Sequence, residues 1–220
     1  MTSAAAADTP ASAPDLAADD GIDRLMVVLR ESPGADKHDE ALVPMDRLEV
    51  DLPGGRKAAM TPAWFQLIGD MHLRLVFDSP DSLRSARVED LARLGLTPEA
   101  AVERAIRNVE RAYGTPASTP WHQLMQVRGR SPDYDSSYFL DRGFWRELLA
   151  RHPEGLVVAV PQHGGLLWTP AGDAAAVSAL QRGVGALYDS SGDLRISSAL
   201  YLFRDDRWTV FQRARPAQAT

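Results

Sequence analysis

Cysteine is absent from the 220-residue chain. Disulfides, thiolate zinc sites and cysteine nucleophiles are therefore excluded, which fits a reducing compartment. Lysine is nearly absent too, since Lys37 and Lys57 are the only two and every other member of the 24 basic residues is arginine. With alanine abundant, this reads as codon bias of a GC-rich bacterial genome and not as chemistry. No stretch approaches 18 consecutive apolar residues, so no membrane-spanning helix is expected and the cytoplasm is the default location. Residues 1–20 carry Ala4 to Ala7, Pro10, Pro14 and Asp19-Asp20 but no basic start or apolar stretch of a signal peptide. They read as a disordered tail. The formal charge of -6 and pI near 5.4 argue against a general phosphate-binding surface, so no nucleic-acid partner is expected.

What is present is an ordinary globular composition, 45% apolar and 25% charged, able to bury a core. The best-specified part is C-terminal. Leu156 to Pro161 and Leu166 to Trp168 read as apolar strands joined by Gln162-His163-Gly164-Gly165. A helix capped by Asp173 follows, with Val177, Leu180, Val184 and Leu187 at helical spacing. Two more strands, Ala199 to Phe203 and Arg207 to Phe211, turn at Asp205-Asp206. Upstream, Leu25 to Leu29 is a buried strand with alternating Leu48 to Leu52 as its partner, Pro53-Gly54-Gly55 marks a turn, and His72 to Phe77 is a third strand.

The middle of the chain turns helical. Val88, Leu91 and Ala92 line a short helix that ends at Gly95. Thr97, Pro98 and Glu99 then open a second one, because a hydroxyl cap, a missing N–H at the first position and an acid at the positive dipole end all suit a helix start. Val102, Ala105, Ile106, Val109 and Tyr113 form its apolar stripe. Leu124 to Val127 and Tyr138 to Leu140 read as short strands, and Asp141 caps a helix carrying Phe144, Trp145, Leu148 and Leu149. The fold class is therefore α/β or α+β, mixed, with largely antiparallel sheet elements and helices packed on them. Its parts are the tail of residues 1–20, a small N-terminal α/β portion over 21–80 and a larger α/β domain over 81–213.

The run Asp90-Leu91-Ala92-Arg93-Leu94-Gly95-Leu96-Thr97, the helix with Ala105 and Asn108, Asp135-Ser136-Ser137 before Trp145 and the strand ending in Val160-Pro161 resemble the YtpQ-like family of uncharacterised bacterial proteins. The resemblance covers roughly residues 70–212. It implies an α/β cytoplasmic domain and supplies no activity.

No nucleotide loop, metal-ligand cluster or Gly-x-Ser-x-Gly elbow is present. The five histidines, His38, His72, His122, His152 and His163, stand singly, so no metal and no cofactor are expected. Two functional constellations remain. Trp121 and Trp168 each stand beside a proline, where a flat ring can be presented to a partner, and with His163 they make a candidate protein-binding face. Asp135, Ser137 and His163 are the residue types of a small hydrolase, which requires the hydroxyl within hydrogen-bond reach of an oriented imidazole. The leading expectation is a non-catalytic protein-binding or accessory module. The hydrolase and a small-ligand sensor, which needs a concave apolar pocket, are the alternatives.

Overall fold

Leu25–Glu31 (β1) is apolar on both faces, so it needs a partner strand that is apolar on both faces as well. In the computed structural model, which describes residues 21–52, 55–80 and 82–216, that partner is not Leu48–Leu52. The chain runs from β1 through the short Val43–Pro44 (β2) into a separate hairpin of Leu48–Leu52 (β3) and Arg56–Met60 (β4). Trp64–Gln66 (β5), Met71–Ser79 (β6) and Ser82–Ser85 (β7) follow. β6 pairs antiparallel with β1 in the register Leu25↔Phe77 to Glu31↔Met71. β3 pairs instead with β4, from Leu48↔Met60 to Leu52↔Arg56, and Leu48 is 36% exposed, which corrects the expected pairing. The first sheet runs β2-β5-β6-β1, with β7 also on β6. The tail of residues 1–20, and Pro53 and Gly54 of the expected turn, lie outside the described residues.

Because strand side chains alternate, one face of the β1–β6 pair carries Leu25, Val27 and Leu29 against Phe77, Leu75 and Leu73. The other carries Met26, Val28 and Arg30 against Val76, Arg74 and His72. After helix Val88–Arg93 (α1), helix Pro98–Tyr113 (α2) packs along β1, its start capped by Thr97 as the sequence predicts. The outer edge of β1 leaves carbonyls without strand partners, and each is met by a side chain. Asn108 of α2 donates to Ile22 and Leu25, both at 2.8 Å, Ser137 donates to Val27 at 2.7 Å, and Arg30 donates to Leu29 at 2.7 Å. Buried carbonyls require such partners.

The second sheet is assembled from Ala117–Trp121 (β8), Leu124–Arg128 (β9), Leu156–Ala159 (β10), Leu166–Pro170 (β11), Leu200–Arg204 (β12) and Arg207–Gln212 (β13), in the order β13-β12-β10-β11-β9-β8, all antiparallel. Helix Arg142–Leu149 (α3) precedes β10, and helix Ala174–Asp189 (α4) lies between β11 and β12. Asp141 and Asp173 cap these two helices by accepting from Phe144 N and Ala176 N at 3.0 Å each. One face of the sheet packs Val157, Ala159, Leu167 and Leu200 against Ala176, Leu180 and Val184 of α4. The other sends Val158, Leu166, Tyr201 and Phe203 into a core shared with the first sheet. The fold is thus mixed α and β with antiparallel sheets. Among the described residues no helix is long and apolar enough to cross a membrane.

One further expectation is corrected. Tyr138 to Leu140 is no strand but the end of a 3-10 helix, Asp135–Leu140, whose backbone closes i to i+3 bonds from Ser137 N to Tyr134 O at 2.9 Å and from Asp141 N to Tyr138 O at 3.1 Å. Ala117–Trp121, a stretch to which the sequence assigns no element, forms a strand with Pro120 inside it, tolerated because β8 is the outermost strand of its sheet. Around the soft boundary near residue 80, Ser79 pairs with Ser82 in the β6–β7 hairpin, and α2 packs on β1 of the first sheet.

Candidate functional site

The polar end of the second β1–β6 face is where chemistry collects. Arg30, His72 and Arg74 share it by register, and Trp64 joins through its pairing opposite Arg74 on β5. Arg74 lies with its guanidinium 3.9 Å from the centre of the Trp64 ring and donates from Nε to His72 Nε2 at 2.9 Å. An arginine only donates, so His72 Nε2 is the unprotonated nitrogen and Nδ1 carries the proton. Nδ1 sits 2.9 Å from Ser32 Oγ and therefore donates to it. A serine–histidine pair in this tautomer cannot activate the hydroxyl, because the nitrogen facing the serine has no free lone pair.

The turn between β10 and β11 brings His163 to the same place. Its main chain is anchored on both sides, accepting from Ser136 N at 2.9 Å and donating to Leu194 O at 3.2 Å. Among the described residues, its Nε2 is buried with no hydrogen-bond partner, and so is Trp64 Nε1. Burial, then the positive field of Arg30, holds the His163 imidazole down at about 4, with Asp133 pulling the other way. His72 is held at about 4 by burial first and then by Arg74 and Arg30. Burial also pulls both guanidinium groups below their ordinary range, and Arg30 adds to the effect on Arg74. Both histidines are neutral at pH 7, and among the described residues neither arginine forms an ion pair. Two part-buried cations side by side are costly to hold together, and the nearby Asp133, exposed and out of ion-pair reach, offsets only part of that cost at Arg30.

The sign of the pH dependence follows. Free histidine titrates near 6.5 and these two near 4, so between those values the unfolded chain binds more protons. Their contribution to stability is full above about pH 6.5 and is lost as pH falls toward 4. Urea midpoints measured from pH 7.5 to 4 are expected to fall less steeply in His72→Gln than in the native protein. An equal slope would contradict the assignment.

The residues expected for a hydrolase lie close in the fold but face apart. Ser137 is fully buried and its hydroxyl donates to Val27 O, not to an imidazole. Asp135 is 3% exposed, accepts from Gly129 N at 2.7 Å, and is raised by burial. Of the candidate binding residues, Trp168 is 3% exposed and donates from Nε1 to Ser118 Oγ at 2.8 Å, so its ring is not offered at a rim. It does line a 560 Å³ cavity with Met125, Phe144 and His152. Trp121 is half-buried and lines a separate cavity of 240 Å³. Among the described residues no group of three or more His, Asp or Glu side chains is placed to hold a metal ion.

Sequence reasoning missed Arg30, Ser32, Trp64, His72 and Arg74 as a group. The available signal was the two-residue spacing of His72 and Arg74 in His72-Leu73-Arg74-Leu75, which puts both on one face of an otherwise apolar strand. Comparison with protein-family models, with curated proteins and with solved structures finds no match to this chain.

Proposed function

We propose that the protein is a non-catalytic binding module that recognises an anionic group, a carboxylate or phosphate, of a partner between Arg30, Arg74 and the His163 turn. The observation carrying this reading is the pair of part-buried guanidinium groups with, among the described residues, no carboxylate at ion-pair distance and only Asp133 acting on Arg30 from further off, beside an imidazole nitrogen with no hydrogen bond. An oxyanion there would satisfy several donors at once and relieve the repulsion between the cations. Arg30 is held by its bond to Leu29 O and Arg74 by Trp64 and His72, so both are oriented before a ligand arrives.

The test is thermal unfolding at fixed ionic strength with chloride replaced by sulfate or citrate. An anion at about ten times its Kd stabilises a folded protein by about 1.4 kcal/mol. For a chain of this size that corresponds to roughly 3–5 °C in Tm. The increase is expected in the native protein, to survive in Arg74→Lys at reduced size, and to vanish in Arg30→Ala/Arg74→Ala. An identical increase in the double variant would contradict the proposal.

A small-ligand reading has one observation in its favour. The 560 Å³ cavity between α3 and the second sheet, walled by Met125, Phe144, Trp168 and Pro170, is within the size range of small-molecule sites.

A further inference from the structure

The His163 turn has two sides. One faces Arg30 and Arg74. On the other, Gly164 and Arg128 both line two adjoining cavities, one of 230 Å³ with Pro132 and Asp135, and one of 240 Å³ walled by Trp121, Leu167, Leu187 and Pro161. Arg128 and the recess thus flank, through Gly164, the same turn whose His163 feels Arg30 and Arg74. Arg128 is exposed and, among the described residues, forms no ion pair. Its near neighbour Asp135 is engaged by Gly129 N and buried. In a chain of formal charge -6, this band thus offers three arginines, with Asp133 as the exposed acid beside them.

The apolar recess fixes what kind of molecule fits. At 240 Å³ it is below the usual range of small-molecule sites, so it suits one apolar side chain presented by a larger partner. The partner does not bind as an added strand there, because the outermost strand beside the recess carries Pro120, whose missing N–H weakens edge pairing. Recognition by side chains remains. We infer that this band docks an acidic, extended segment of a partner protein, with a carboxylate on Arg30 and Arg74, a second acid on Arg128 and an apolar side chain beside Trp121. The inference rests on the anion-binding reading and adds the partner's chemistry to it.

Fluorescence anisotropy with labelled eight-residue peptides tests it. A peptide alternating glutamate and leucine is expected to bind the native protein about tenfold more tightly than one alternating glutamate and serine, a difference set by one buried apolar side chain. One alternating lysine and leucine is expected not to bind. Trp121→Ala is expected to erase the preference for leucine and leave the glutamate–serine peptide unaffected, and Arg128→Ala to weaken both acidic peptides. Leu187→Gln supplies the same test of the recess should Trp121→Ala lower Tm. Equal binding of the two acidic peptides, or a leucine preference unchanged in both recess variants, would overturn the docked segment while leaving the anion site standing. Tighter binding of an octathymidylate than of the glutamate–leucine peptide would overturn the protein partner in favour of nucleic acid. Loss of the sulfate-induced rise in Tm, by contrast, removes the underlying site itself.

Discussion

Changing Asn108 to aspartate, which preserves the shape of the side chain, is expected to lower the unfolding free energy by about 3–5 kcal/mol at pH 7. Asn108 is 1% exposed, and its amide nitrogen bridges the carbonyls of Ile22 and Leu25 at 2.8 Å each. A carboxylate in that place donates nothing and sets a buried charge against two carbonyl oxygens. Asn108→Leu removes the donors without adding charge and is expected to cost less, about 1–3 kcal/mol. The gap between the two variants should narrow below about pH 5, where the new carboxyl is protonated and can donate once. Urea denaturation of both variants checks this. An Asn108→Asp variant within about 0.5 kcal/mol of the native protein would mean that α2 is not hung on the edge of β1 by these bonds. The bond matters to the site because the same edge, two residues apart each time, holds Ser137 and then Arg30.

Gly69→Ala is expected to cost about 3 kcal/mol, against about 1 kcal/mol for Gly95→Ala. Both glycines have left-handed backbones, φ +61° and +67°, so the conformational penalty is common to both. They differ in space. A Cβ on Gly95 meets nothing within 4 Å, whereas one on Gly69 comes 2.7 Å from Tyr201 Oη and 3.0 Å from its Cε1. Tyr201 is fully buried and donates to Asp70 Oδ1 at 3.1 Å, and Ser197 donates to the same oxygen. This junction ties the first sheet's β5–β6 turn to β12 of the second. Displacing the phenol leaves a buried carboxyl short of a donor, and that loss, not the backbone term, makes the difference. Equal costs for the two substitutions, measured by thermal or urea unfolding, would contradict the role given to the junction.

Local signals in the sequence were read correctly where physics is local. Thr97, Asp141 and Asp173 cap helices because a side-chain oxygen three residues before an amide is a property of a few residues. The Asp205-Asp206 turn, with φ +51° and +60°, is similarly short-ranged. Pairing is not local. Leu48 to Leu52 alternates as a strand should, yet it pairs with its sequence neighbour Arg56–Met60, and β1 takes β6 from 40 residues and more along the chain. The binding site is further still from legible, because Arg30 and His72 meet only through a register linking positions 42 apart, and His163 arrives from the other sheet. Ser137, a nucleophile only in the alternative hydrolase reading, serves a strand edge. Trp168 looked like a rim residue, but its flanking proline ends a central strand, so the ring points into the core.

The anion site is tested most directly by the titration of the His163 imidazole, followed by ¹⁵N NMR with and without sulfate and assigned through His163→Gln. In the free protein the imidazole, pressed by burial and by Arg30, should titrate near 4. An oxyanion seated between Arg30 and Arg74 favours the protonated ring, so the account predicts that sulfate raises the His163 midpoint toward 6.5. Superimposable titration curves with and without sulfate would contradict it.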